Sequence, residues 1–292
     1  MPPAIGQEPG WWPSWELFGD SLVLAVLLGA VLPLVGGLLV LRQQLFVAAS
    51  IGQSANLGIA LALQCGLGVP HALSAGEGDV AVRAAGLLAA IVTTVVCLRA
   101  LSTRSTTLEA RNAWMFLFGG SASMVLLAQA PHGMQELQRL LLSSLLFASP
   151  FDGALVGACL AVGLLVLRWQ PRRLLLWAMD PRSAAAYGTS VLACDLLVGA
   201  YAGFVIGYAV YATGLLFTFG MTVLPVLCAR EVAGSLRAGA RLALLFGSTA
   251  PVAGLLCAHR FDLPPGQATV ALLGALALLL RLLSAWRCHR RA

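Results

Sequence analysis

Residues 18–41 read FGDSLVLAVLLGAVLPLVGGLLVL, an apolar run whose one charged side chain, Asp20, stands near its start. A membrane-spanning helix needs about 20 mostly apolar residues to cross roughly 30 Å of hydrocarbon, and this run is long enough. It also lacks the polar stripe that a surface helix of a soluble domain would carry. Eight further runs of the same kind follow, at 46–68, 80–100, 113–130, 151–168, 191–212, 214–229, 238–258 and 266–285. The chain is therefore expected to be an all-α polytopic membrane protein with about nine transmembrane helices. Composition agrees, since 59% of the 292 residues are hydrophobic, 10% are charged and the mean hydropathy is +0.88. Little chain remains for a soluble head, which excludes a cytosolic enzyme on a membrane anchor. The runs are also too long and unbroken for the alternating strands of a lipid-facing barrel.

Every basic residue is arginine, and the arginines orient the map. With the N-terminus outside, the inner loops and tail take Arg42, then Arg99, Arg104 and Arg111, then Arg168, Arg172, Arg173 and Arg182, then Arg230, Arg237 and Arg241, and finally Arg281, Arg287, Arg290 and Arg291. Only Arg83, Arg139 and Arg260 fall outside. That is the bias of cytoplasmic loops, and it supports an odd number of spans. The net charge of +6 is read as this bias, and no nucleic-acid partner is expected.

Before the first span there is no basic n-region of a cleaved signal peptide. Trp11, Trp12 and Trp15 around Pro13 look instead like an interfacial anchor. The seven cysteines are scattered singly with no CxxC pair, so they read as small core residues. Residues 134–147, MQELQRLLLSSLLF, form an amphipathic stretch read as a span, a re-entrant segment or a surface helix.

Two spans carry polar groups in places that call for a reason. In the second, a helix wheel brings Ala49, Gln53, Asn56, Ala60 and Gln64 within about 60° of one another. Amides are costly in hydrocarbon, so this face is expected to line a path or to bond other helices. Ser50, Ser54 and Gly58 make a neighbouring small-residue stripe suited to close packing. In the sixth, Asp195, Gly199, Gly203 and Gly207 share one edge, which permits close approach of another helix; Asp195 reads either as a near-interface charge or as an ion ligand. His71 and His132, with Glu77, Asp79 and Glu136 nearby, have no metal-ligand spacing. HExxH, GxSxG and GxxxxGK[ST] are all absent, so the chain is read as no enzyme and as unable to cradle ATP itself.

From Gly214 the chain continues through ten mostly apolar residues to Pro225 and a small-residue run ending at Ala229 and Arg230. DPRSAAAYG stands at 180–188, FDLPPGQATV at 261–270 and LRQQLFV at 41–47. In these blocks, ordered over about residues 16 to 285, the chain resembles the membrane permease subunits of zinc/manganese-type ABC transporters. The resemblance implies an importer permease bundle forming a transmembrane domain over 17–286, between an interfacial segment 1–16 and a basic cytoplasmic tail 287–292. It also implies a coupling helix at about 225–237, with Pro225, Ala229, Arg230 and Glu231 meeting the ATPase.

The partners so implied are cytoplasmic ABC ATPase subunits, an extracytoplasmic solute-binding protein and a second permease chain, identical or paralogous, all at a bacterial inner membrane. No cofactor is expected on this chain, since ATP is used by the partner. Gln53, Asn56, Gln64 and Asp195 are the expected substrate pathway. One departure stands out: where the family has Asp and His on the second span, this chain has Ala49 and Gln53. Neutral amides are poor ligands for transition metals beside carboxylate and imidazole. Alternatives to a zinc or manganese cargo are a non-metal or chelated cargo, or a secondary ion-coupled carrier titrating at Asp195.

Overall fold

The computed structural model describes residues 15–65, 77–99, 105–129 and 150–289, and within them every element is helical. They are α1 (Trp15–Leu41), α2 (Leu45–Gln64), α3 (Glu77–Arg99), α4 (Ser105–Ala128), α5 (Pro150–Trp169), α6 (Pro171–Met179), α7 (Pro181–Ala186), α8 (Val191–Thr213), α9 (Leu215–Val232), α10 (Leu236–Phe261) and α11 (Pro265–His289). Each of the nine apolar runs falls on one of these helices. Seven are long and apolar enough to cross a membrane, while α3 and α4 carry shorter apolar cores at Val82–Val95 and Asn112–Ala128. The expected stretch at 134–147, most of the N-terminal segment, His71, His132 and Glu136 lie outside the described residues.

Local chemistry sets the breaks. The apolar sequence from Val191 to Val232 is divided at Gly214, whose φ of 82° and ψ of 164° only glycine adopts without strain. Ser190 and Ser235 accept hydrogen bonds from Ala193 N and Ala238 N, each at 3.3 Å, and so cap α8 and α10. Asp262 ends α10 in the left-handed region, and Pro264 and Pro265 lead into α11.

Two groups of helices interlock. On one side α2 packs between α3 and α4, with α8 on the far face of α3; on the other, α1, α9, α10 and α11 pack together, and α5 lies against α1. Helix α2 also reaches α8 and α9, so it joins the groups. The shared core holds Leu28, Leu32, Ile51, Ile206, Phe217 and Met221. The glycine edge of α8 meets α3 as its spacing suggests: a Cβ on Gly203 would stand 2.6 Å from Ile91 Cα, and one on Gly207 2.7 Å from Ala90 Cβ. Gly58 of α2 likewise lies against Ala85 and Ala89 of α3. With lipid as apolar as leucine, such backbone proximity is what drives helix association. Helices α5 and α11 turn most of their apolar side chains outward, Leu278, Leu279 and Leu282 among them.

Candidate functional site

The amide face of α2 lies mostly inside the bundle. Ala49, Gln53, Asn56 and Ala60 are buried, whereas Gln64, on the last turn, is exposed. Gln53 lies on the bare backbone of α4, where a Cβ on Gly120 would come within 3.2 Å of its Cδ. One turn earlier, Ser50 Oγ donates to the Asn112 carbonyl at 2.7 Å, which ties α2 to α4 at that level. Ser54 Oγ is used locally, donating to Ser50 O at 2.9 Å. Two amide oxygens, Asn56 Oδ1 and Asn112 Oδ1, are buried with no hydrogen-bond partner among the described residues. An unmet carbonyl oxygen in a low-dielectric interior costs about 1–3 kcal/mol, so both are acceptors available to a donor or cation.

Asp195 belongs to a cluster at the turn that precedes α2. It sits near the start of α8, and its Oδ1 accepts from Arg42 Nη1 at 3.0 Å and from Trp177 Nε1 at 2.9 Å. The Arg42 guanidinium also lies over the Trp177 ring, 3.9 Å from its centroid. The charged side chains are 2% and 8% exposed, so this pair is a true interior one. The four residues expected to line one pathway thus divide between the α2 interior, its exposed end and an ion pair beside its start.

A further polar cluster escaped the sequence reading because its members come from three helices. Arg83 of α3 stands 3.8 Å from Asp152 of α5, Tyr208 of α8 donates its hydroxyl to Asp152, and Arg83 covers the Tyr211 ring at 4.6 Å. An ionisable residue within an apolar run is the signal that would have flagged Asp152.

The segment around Pro225 is the C-terminal part of one continuous helix. Pro225 lies inside α9, and the expected coupling helix at about 225–237 is divided: 225–232 belong to α9, 233–235 form a turn and α10 begins at Leu236. Pro225 and Ala229 are buried, Ala229 packing with Val40, Val226 and Ala243 where α1, α9 and α10 meet. Arg230 is exposed. Glu231 is held to α11, accepting from Arg281 Nη1 at 3.1 Å and Ser284 Oγ at 2.7 Å. What projects is the turn, flanked by exposed Val232, Leu236 and Arg237.

The 180–188 block also explains itself. Asp180 caps α7, accepting from Arg182 N at 3.0 Å and Ser183 N at 3.3 Å; Pro181 takes the first helical position. Ala184 is buried and Gly188 has a φ of 75°. The Ser183 hydroxyl, then the backbone amides, hold the Asp180 carboxyl below its ordinary range.

Among the described residues no three His, Cys, Asp or Glu side chains converge as a metal site would require. The model of the ABC 3 transport family matches residues 14–285. Among solved structures, the chain superposes on a chain of PsaBC from Streptococcus pneumoniae in complex with Fab, with a TM-score of 0.72 and 20% identity over 92% of this chain and 93% of that one. It superposes equally, at 0.72 and 16% identity over 95% and 92%, on a metal-chelate type ABC transporter in an inward-facing conformation. At such identities these two likenesses speak to the fold.

Proposed function

Since the chain belongs to the ABC 3 transport family, we propose that it is the membrane permease of an ATP-driven importer whose metal cargo crosses still carrying ligands of its own. The observation behind this reading is the donor set of the α2 face. Ala49 and Gln53 stand where the resembled family has a carboxylate and an imidazole, the amide oxygens of Asn56 on α2 and Asn112 on α4 are buried without partners among the described residues, and no trio of His, Cys, Asp or Glu gathers there. Amide oxygens suit a cargo already coordinated, because they hydrogen-bond its ligands without having to neutralise a bare dication. The metal-chelate type of transporter among the fold relatives agrees with it.

In this reading the N-terminus is outside, the C-terminus is cytoplasmic, and the membrane is a bacterial inner membrane. Hydrolysis is borrowed from ATPase subunits that dock on the α9–α10 turn, with Arg230, Val232, Leu236 and Arg237 as the contact. An extracytoplasmic binding protein delivers cargo, and a second permease chain completes the channel.

The test is hydrolysis by the full transporter, permease with its ATPase and binding protein, in nanodiscs. Chelated zinc or manganese should stimulate it more than the free ions do. Stimulation by the free ions alone would give the cargo back to the bare-ion class. Charge reversal at Arg230 and Arg237 together should weaken ATPase co-purification; unchanged association and coupling would remove this turn as the docking point.

A further inference from the structure

Helix α6 is amphipathic. It buries Leu174, Trp177 and Ala178 and exposes Arg172, Arg173, Leu175 and Met179. Its packing is slight: it lies chiefly against its chain neighbours α5 and α7, the end of α1 and the start of α8. The polar bonds that fix it to the bundle centre on Trp177, which is 1% exposed and gives its indole N–H to Asp195.

Asp195 uses the same oxygen for Arg42, and Arg42 lies in the tight turn that starts α2. In that turn Gln43 N bonds Val40 O at 3.0 Å and Gln44 N bonds Leu39 O at 2.9 Å, leaving little slack between Arg42 and the first residue of α2. A shift of Trp177 therefore removes one of two bonds on Asp195 together with the aromatic cover of Arg42.

Two further polar atoms belong to this corner of the bundle. Arg42 Nη2 is a buried donor and Gln44 Oε1 a buried acceptor, both without partners among the described residues and two positions apart in the chain. If Trp177 withdraws, the guanidinium loses its aromatic cover while its Nη2 has no bond among the described residues to hold it in place. Hydrogen-bonded and ion-paired side chains that bridge two helices are the kind of contact through which a displacement passes between elements.

We propose that Trp177, Asp195 and Arg42 are positioning residues that link α6 to α2, carrying ATP-driven movement at the inner face to the amide-bearing helix. This rests on the permease reading above. The link is a second route beside the α9–α10 turn, and it acts on the helix that holds Gln53 and Asn56.

The experiment uses the full transporter in nanodiscs and compares wild type, Trp177→Phe, and the double variant Arg42→Gln with Asp195→Asn. Cargo moved per ATP, stimulated hydrolysis and thermal midpoint are measured together. Trp177→Phe keeps the ring and deletes the indole donor; loss of one such bond should lower cargo per ATP by about fivefold with ATPase association unchanged. A transport ratio equal to wild type in Trp177→Phe would overturn the link, whatever the double variant does. A lowered thermal midpoint with that ratio intact would equally overturn it, leaving a structural role only. If wild type itself shows no stimulated hydrolysis with any partner ATPase, the permease reading has failed, which is distinguishable from failure of the link alone.

Discussion

Where α1 crosses α10, Gly29 and Gly247 lie backbone on backbone, each carbonyl occupying the place where a Cβ on the other would stand. Nothing at this crossing can yield, because the obstructing atoms are main chain and the next neighbour, Pro33 Cγ, is 2.6 Å from the Gly247 position. Gly247→Ala should therefore destabilise the protein by about 1–3 kcal/mol or more. Gly37→Ala, with no atom within 4 Å of the new methyl, serves as control. Thermal unfolding in detergent compares the two, and equal midpoints would refute the close crossing.

The buried pair makes a prediction with opposite outcomes for related variants. Asp195→Ala strands Arg42 as an unpaired interior charge and should cost about 3–5 kcal/mol. Replacing both by apolar residues of similar volume, Arg42→Met with Asp195→Leu, should recover most of that loss. Chemical denaturation in mild detergent measures both, and a double variant as unstable as the single one would show that the charge itself is needed.

Asp180 predicts a response to acid. Its folded pKa lies below the unfolded value, so its cap is fully present above the ordinary carboxylate pKa and is lost as pH falls through the depressed one. The protection factors of the Arg182 and Ser183 amides, measured against intrinsic exchange at each pH, should fall at acid pH in wild type and be low at every pH in Asp180→Ala. Protection that ignores both changes would argue against the cap.

A gain of function tests the α2 face. Ala49 and Gln53 are one helical turn apart, so Ala49→Asp with Gln53→His would aim a carboxylate and an imidazole from one side of the helix. Calorimetry on the detergent-solubilised variant should register divalent-metal binding that wild type lacks. Equal binding by the two would place the path on another face.

Orientation is checked by labelling in a cysteine-free background. Leu263→Cys, exposed between α10 and α11, should react with an impermeant maleimide applied to intact cells, and Met179→Cys on α6 should not. The reverse pattern would invert the map.

Much of this molecule could be read along the chain. Apolar run length located the nine long helices among the described residues, because hydrocarbon thickness dictates it. The residues of the 180–188 block and Gly214 are legible for a similar reason: a cap, a first-turn proline and a positive φ are local requirements that a particular residue type satisfies. The α8 glycine edge likewise announced a close approach, though not that α3 would make it.

Partners were another matter. A helical wheel yields a face but no neighbour, and within a membrane the usual guide is missing, since lipid and helix interior are equally apolar. Arg42 read as one more inner-loop arginine, yet folding carries it to Asp195, 153 residues away, and under Trp177. Glu231 read as a docking charge and is bonded to Arg281 and Ser284. Gln53, Asn56 and Gln64 share one stripe, but only packing against α4 and its neighbours decided that the first two are interior and the third is not. The sequence by itself determined the long apolar helices to within several residues and the charge asymmetry, both compositional properties, whereas α6 and α7 fall in a stretch that reads as an inner loop. Which charges neutralise one another, and which polar face is enclosed, required the tertiary structure, because both depend on distances between residues far apart in the chain.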